Sequence, residues 1–577
     1  MLAKINSFKH WQAGLIIAIL GFAAYFDGLK NSFLGDDTSQ IVTNIPVHSI
    51  THIRILFESS TFYNGQGLAP LIGAYYRPLM TTVFSVIYTL FGAHPFYFHL
   101  LQLLLCIGSS IILYLFFRYS FKPALALTLS LVFLLHPIDS QVVFAIASME
   151  DALFFFFGIL ALYLLVRCTS KWSLCFVALA LLMALLAKES GVLFVIMALV
   201  YLFWWNRPRF YPFLAIMAVP MAAYLTLKTR AIGLAAINPG ISPIDRLGLS
   251  QRLMNTPSII QFYFSRLVWP VHVAHAYYWV YPNFSVRHVL LPLLIDVAIF
   301  ALLINGGLLV KRKASKELYA TYLFFGFWAA IGLGISSQII PLDMTACETW
   351  FYFSMVGILG MLGIAWRTFS PAIHFDRQIL LVGVAILVAL LGARTAVRGT
   401  NWSSQLTLAY HDVKVSKQDF DSDNNIASSL FYEKNLQQSE VYAKRSIAIY
   451  PYSPNYNTLG LIYFEQQKYQ AAKQAFTDGI QIGPPVHQIY ENQGALTVWY
   501  GSPTTNSQYL LSALHLFPTD GRLWLDLAIL YYKDHDNAEA KICIDNATAY
   551  GEPNQFFYDH ITDNQYVPFS LPSPNLD

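Results

Sequence analysis

Long stretches of this 577-residue chain run without a single Asp, Glu, Lys or Arg, among them 12–26, 96–117, 123–138, 152–166, 172–187, 190–206, 210–227, 318–340, 350–366 and 378–393. A helix that crosses a bilayer needs roughly 20 apolar residues, and the shorter runs can borrow flanking ones. The run 287–310 is apolar apart from Asp296 and, at its very start, Arg287 and His288. Only 12% of the residues are charged and 56% are hydrophobic, whereas soluble domains carry about a quarter charged residues. The chain therefore reads as an integral membrane protein with about eleven spans. A net charge of +3 is too small to argue for a nucleic-acid partner.

Basic residues gather at alternate turns: Lys4 and Lys9, Arg118 and Lys122, Arg167 and Lys171, Arg207 and Arg209, Lys311 to Lys316, Arg367 and Arg377. Read as cytoplasmic by the positive-inside rule, they place the N-terminus in the cytoplasm and the C-terminal part on the far side. The segment "IIQFYFSRLVWP" (259–270) must then be re-entrant or interfacial. The five cysteines are scattered and imply no disulfide framework. The first apolar run lacks a small-residue cleavage site and reads as a retained helix.

Near residue 396 the composition turns polar. "NYNTLGLIYFEQQKYQAAKQAFTDGIQIGPP" places Tyr456, Leu459, Gly460, Tyr463, Ala472, Phe476 and Pro484 at tetratricopeptide (TPR) positions, and the pattern returns after 34 residues, twice. Three units (453–486, 487–520, 521–554) follow a degenerate one that ends near Pro451. Such helix pairs bury their apolar faces only against neighbours, so they stack into a superhelix with a concave, protein-binding face. The expected organisation is all-α: a polytopic membrane domain over 1–395, a linker over 396–418, a TPR array over 419–554 and a tail over 555–577.

No Walker loop, GxSxG or zinc-spaced Cys/His cluster is present. His48 and His52 have the spacing of a metal pair, but only Glu58 could join them, so a metal is not favoured. Polar residues collect instead in the far-side loops. These hold "NSFLGDDTSQ" with Asp36 and Asp37, "YYRPLM" with Arg77, "HPIDSQVVFAIASMED" with His136, Gln141 and Asp151, "KES" with Lys188 and Glu189, the 228–256 loop with Lys228 and Arg230, and "PLDMTACETW" with Glu348. Asp296, inside an apolar run, is costly unless it faces polar surroundings or sits at a helix end.

Taken in order, "FLGDDTSQIVTNIPV", "YYRPLMTTVFSVIYTLFG", "HPIDSQVV", "LLAKESGVLF", "ETWFYFSMVG" and the trailing repeats resemble the GT-C superfamily of membrane glycosyltransferases, within it the transmembrane TPR-containing O-mannosyltransferase-like proteins. The resemblance implies an enzyme that takes a sugar from a polyprenyl-phosphate carrier, a substrate rather than a cofactor, and places it on a hydroxyl. It implies Asp36 as the base, with Asp37 positioning the acceptor or holding Asp36 ionised. Arg77, then Lys188 and Arg230, would offset the leaving phosphate. His136, Gln141, Asp151, Glu189, Glu348 and Tyr352 are further substrate-site candidates. The chain departs from the family pattern with Gln141 in place of an acid, Met149-Glu150-Asp151 in place of Arg-Lys-Asp, and Thr349 in place of an arginine. Its implied partners are the lipid-linked sugar and a Ser/Thr protein acceptor held by the array. Short loops point to a bacterial inner membrane rather than the endoplasmic reticulum. The rival reading is a non-catalytic membrane-anchored TPR scaffold.

Overall fold

The computed structural model describes residues 9–63, 75–170, 172–233, 242–370, 377–483, 485–500, 503–552 and 554. Lys4, Lys171, Pro484, the 64–74 part of the first long loop and the tail 555–577 lie outside them. Among the described residues no strand forms; one isolated bridge joins Tyr277 to Ala346. The chain divides into two compact units, the main parts of which meet between Ser416 and Lys417.

The first unit is built of apolar helices, the form in which a backbone satisfies its own polar groups in lipid. In order these are α1 (His10–Tyr25), α2 (Ile53–Glu58), α3 (Pro78–Phe91), α4 (Pro95–Phe117), α5 (Pro123–Leu135), α6 (Gln141–Phe144), α7 (Met149–Arg167) and α8 (Ser173–Ala187). They continue with α9 (Val192–Trp205), α10 (Arg207–Ile232), α11 (Leu249–Val268), α12 (Leu291–Lys313), α13 (Lys316–Ile335), α14 (Tyr352–Phe369), α15 (Arg377–Asn401) and α16 (Gln405–Val415).

Among the described residues eight helices, counted with adjoining turns, are long and apolar enough to cross a membrane. A ninth arises if the 50° bend between Pro123–Leu135 and Pro137–Phe144 lies within one span, and Pro78–Phe91, Ser173–Ala187 and Glu189–Trp205 are shorter apolar helices. Every apolar run named above is mostly helical, the run 318–340 leaving helix after Ile335. Segment 259–270 falls largely within α11, which is not among the eight. The expected linker holds the last turns of α15 and the whole of α16.

The bend is chemically determined. Pro137 has no N–H to donate to Phe133 O, and Ile138 N and Asp139 N donate to His136 Nδ1 and His136 O, so the Leu134 and Leu135 carbonyls need other partners. The Tyr25 hydroxyl supplies Leu134 O at 2.7 Å and the Thr395 hydroxyl supplies Leu135 O at 2.8 Å, which pins α1 and α15 to the break.

Among the described residues the second unit forms four helix pairs: α17 (Phe420–Tyr432) with α18 (Leu436–Ile449), α19 (Ser453–Glu465) with α20 (Tyr469–Ile482), α21 (His487–Tyr500) with α22 (Pro503–Leu516), and α23 (Gly521–Lys533) with α24 (Asn537–Ala549). The first pair is the degenerate unit. Lys434, Gln467 and His535, just past α17, α19 and α23, adopt φ of 61°, 61° and 62°. Each turn carries the crossed bonds of a Schellman end, such as Lys434 N to Phe431 O and Asn435 N to Leu430 O. A Cβ on Gly460 would stand 2.3 Å from the Phe476 ring, so the small residue is what lets α19 and α20 close.

Candidate active site

Six charged side chains meet where four helices end. Pro78 fixes the start of α3, leaving Arg77 at the cap with non-helical backbone (φ −135°, ψ 57°). Its guanidinium pairs with Glu150 and reaches Glu189 Oε2 at 3.7 Å. Glu150 and Asp151 lie in the first turn of α7, where the helix dipole favours carboxylates. Lys188 follows the last residue of α8 with extended backbone, where that dipole favours a cation. Its ammonium lies 3.0 Å from Glu150 Oε1 and 2.7 Å from Asp151 Oδ1. Lys228 of α10 completes the set at 3.9 Å from Glu189 Oε1.

The "KES" turn depends on the glycine that follows it. A Cβ on Gly191 would sit 2.5 Å from the backbone carbon of Ala184, so only glycine allows the chain to fold back over the end of α8. Aromatic rings wall the cluster. Tyr75 lies over Arg77, 4.2 Å from ring centroid to guanidinium carbon, and donates to Asp343 Oδ2 at 3.0 Å. Tyr76 N donates to Glu189 Oε1 at 3.4 Å.

The centre is nearly dry: Arg77, Glu150 and Lys188 side chains are 11%, 8% and 12% exposed. Burial works against the charge on Arg77, yet Glu150 and Glu189 outweigh it and hold the guanidinium above its usual range. Lys188 is likewise held up, with Asp151 and Glu150 overcoming burial. Burial pushes Asp343 up, although the Tyr75 hydroxyl and Arg77 oppose it.

The two adjacent aspartates have opposite environments. Asp37 is buried, and its carboxylate accepts from Leu34 N at 2.9 Å and from Ala147 N at 2.7 Å. Burial raises it to about 7, partly offset by those two N–H donors and reinforced by Asp36. Asp36 is exposed. Ala147 lies three residues before Glu150, so Asp37 ties the "GDD" loop to the turn that launches α7.

The remaining candidates separate into another group. His136 is buried, its Nε2 3.0 Å from Leu267 O. The Cys347 thiol faces Gln141 Oε1 at 3.9 Å. Glu348 accepts from Ala274 N and from the Tyr277 hydroxyl, both at 2.9 Å. Tyr352 is packed between Phe133 and Phe155, with centroids 4.7 and 4.6 Å away. Arg230 is exposed on α10 and outside the six-charge set. His48 stacks on Tyr88 at 4.1 Å, and Glu58 pairs with Arg54 at 3.0 Å. Among the described residues no group of three or more His, Cys, Asp or Glu is placed to hold a metal.

Sequence reasoning did not nominate Glu150 or Lys228, both central to the cluster. It also passed over the buried Arg398, which lies 3.6 Å from Asp412 Oδ1 and over the Trp402 ring at 5.3 Å. Only helical phase could have selected Lys228 over Arg230.

Fold and site together define an all-helical integral membrane protein with a buried charge cluster at its helix ends and an appended TPR array. The chain resembles the transmembrane, TPR-containing protein O-mannosyl-transferases. It is 21% identical to Protein O-mannosyl-transferase TMTC3 of Mus musculus over 631 aligned positions, which take in 92% of this chain and 66% of the relative. Thus the chain spans just under two thirds of that relative's length. Protein O-mannosyl-transferase TMTC1 of Mus musculus is 31% identical over 144 positions, 24% of this chain and 15% of the relative. The solved structure of ArnT from Cupriavidus metallidurans bound to undecaprenyl phosphate aligns with a TM-score of 0.39 and 15% identity, covering 80% of this chain and 79% of that one. No protein-family profile matches the chain.

Proposed function

We propose that the chain is an inverting glycosyltransferase of the GT-C type. It moves a mannose-like sugar from a polyprenyl-phosphate carrier to a Ser or Thr hydroxyl of a protein held by the TPR array. The observation that carries this reading is the convergence of Arg77 and Lys188 on one carboxylate, Glu150, in a nearly dry pocket of helix ends. Two cations held that way form a receptor for an anion with several oxygens. Similarity to protein O-mannosyl-transferases over 92% of the chain supports it.

Asp36, exposed beside the buried Asp37, takes the acceptor proton. The hydroxyl oxygen then bonds to the anomeric carbon as the bond to the phosphate oxygen breaks, and the phosphate leaves with the electron pair. Arg77 and Lys188 offset the departing charge, with Glu150 giving up its place to phosphate oxygens. Asp37 shapes the loop through its two backbone bonds. The centre faces the periplasm of a bacterial inner membrane or, in a eukaryotic setting, the lumen of the endoplasmic reticulum.

The test is transfer from a panel of radiolabelled lipid-phosphate sugars into membranes carrying wild type or Asp36→Asn, followed by separation of labelled protein and lipid. Labelled protein with wild type and none with the variant, at equal membrane levels, is the expected result. Equal labelling removes Asp36 from the mechanism. The second reading, a non-catalytic scaffold, is favoured by the internal pairing of every cation in the cluster, and absence of any copurified polyprenyl phosphate would support it.

A further inference from the structure

A groove of about 1860 Å³ opens between α1, α5, α14 and α15, helices other than those that carry the charge cluster. On α15 it runs from Leu380 to Ala396, roughly 24 Å at 1.5 Å per residue. That is most of the ~30 Å hydrocarbon thickness of a bilayer. Its walls are apolar and rich in small residues. Among the described residues the only charged side chains lining it are Arg118, Lys122 and Arg367, all at one end.

Those three cations are held together by the turn between α4 and α5. Arg118 donates to Phe121 O, and Arg367 of α14 donates to Ser120 O at 2.6 Å. Lys122 and Arg367 are exposed. Among the described residues no carboxylate pairs with any of the three, whereas the cations of the other cluster are paired throughout.

We propose that this groove binds one anionic glycerophospholipid, its phosphate on Arg118, Lys122 and Arg367 and its acyl chains along the α1–α15 wall. A basic rim between membrane helices, with no carboxylate partner among the described residues, selects for headgroup charge. The ammonium of a zwitterionic lipid would meet three like charges there. The apolar length fits chains that enter from the leaflet at that end. The inference stands on its own and needs neither the sugar donor nor Asp36.

Trp366 lines the same end of the groove and reports on it. Full-length protein in detergent micelles is titrated with phosphatidylglycerol or phosphatidylcholine brominated on the acyl chains. The Trp366 signal is taken as the difference between wild type and Trp366→Phe. Phosphatidylglycerol should quench at about tenfold lower concentration than phosphatidylcholine, and the preference should weaken in high salt. Lys122→Gln/Arg367→Gln should abolish that preference. Lys122→Gln alone, at an exposed side chain, should lower it about threefold and guards against misfolding of the double variant. Equal quenching by the two lipids, an unchanged preference in the variants, or displacement of brominated phosphatidylglycerol by undecaprenyl phosphate at lower concentration than by phosphatidylglycerol itself would each overturn the proposal.

Discussion

Asp37 Oδ1 accepts a hydrogen bond from the backbone N–H of Ala147 at 2.7 Å, across 110 residues of chain. Through this bond the first long loop and the start of α7 share one position. The loop's other aspartate, Asp36, is thereby presented to solvent beside the turn that leads to Glu150 and Asp151.

Removing that carboxylate leaves two backbone donors without acceptors. An unsatisfied buried donor costs about 1–3 kcal/mol, so Asp37→Ala should lower stability by about 2–6 kcal/mol. Asp37→Asn, which keeps one acceptor oxygen, should cost about half of that. Thermal unfolding in detergent measures both, and a change below 0.5 kcal/mol (roughly the scatter for surface substitutions) would contradict the assignment.

Arg77 and Glu150 should be strongly coupled. Arg77→Ala strands buried carboxylates, at a cost of about 3–5 kcal/mol, whereas Arg77→Ala/Glu150→Ala should lose clearly less than the two single changes summed. Glu150→Gln frees two cations, so it should raise retention of a polyprenyl phosphate while lowering the melting temperature. A double-mutant cycle from melting curves checks the first statement, and lipid copurification checks the second.

Gly191→Ala should be disproportionately harmful for one methyl group. The added carbon would meet backbone of Ala184 rather than a movable side chain. The expected loss is about 1–3 kcal/mol, with Lys188 displaced from Glu150. Gly334→Ala, on the same bundle with nothing within 4 Å of the new atom, is the matched control in the same melting assay.

The TPR unit should lose stability as pH rises. Burial lifts Asp526 from 3.8 to about 8, against Arg522 and with Asp520 and Glu552, and Glu491 is also raised by burial and by Asp520. The folded state therefore holds protons that the unfolded chain has released. Their stabilisation is complete below about pH 4 and is lost as pH climbs through 8. Between pH 5 and 9 the loss should be on the order of 2–4 kcal/mol, and Asp526→Asn should flatten the slope. Melting curves of the full chain across that range decide it.

What could be read from the sequence follows from periodicity and length. Apolar runs and a 34-residue repeat are one-dimensional signals, and both correspond to helices here. "YRP" and "KES" were legible because Pro78 and Gly191 impose the local backbone that aims Arg77 and Lys188. Partner choice was not legible. Lys228 and Arg230 are two residues apart on a helix and point to opposite sides, and only packing against α8 shows that Lys228 meets Glu189. Likewise Glu150 was read as a departure from a family pattern, yet its position between two cations emerges only when α3, α7 and α8 are assembled. The buried state of Asp37 depends on Ala147, far along the chain, and no local rule announces it.

The charge cluster sums to zero: Arg77, Lys188 and Lys228 against Glu150, Asp151 and Glu189. Such a centre casts almost no field beyond contact range, so it cannot draw a phosphate in from a distance. A water-borne donor would find it slowly. On the function proposed above, a donor confined to the plane of the bilayer would be delivered by two-dimensional diffusion, and its capture would be a local exchange of one anion for another that ionic strength should scarcely alter.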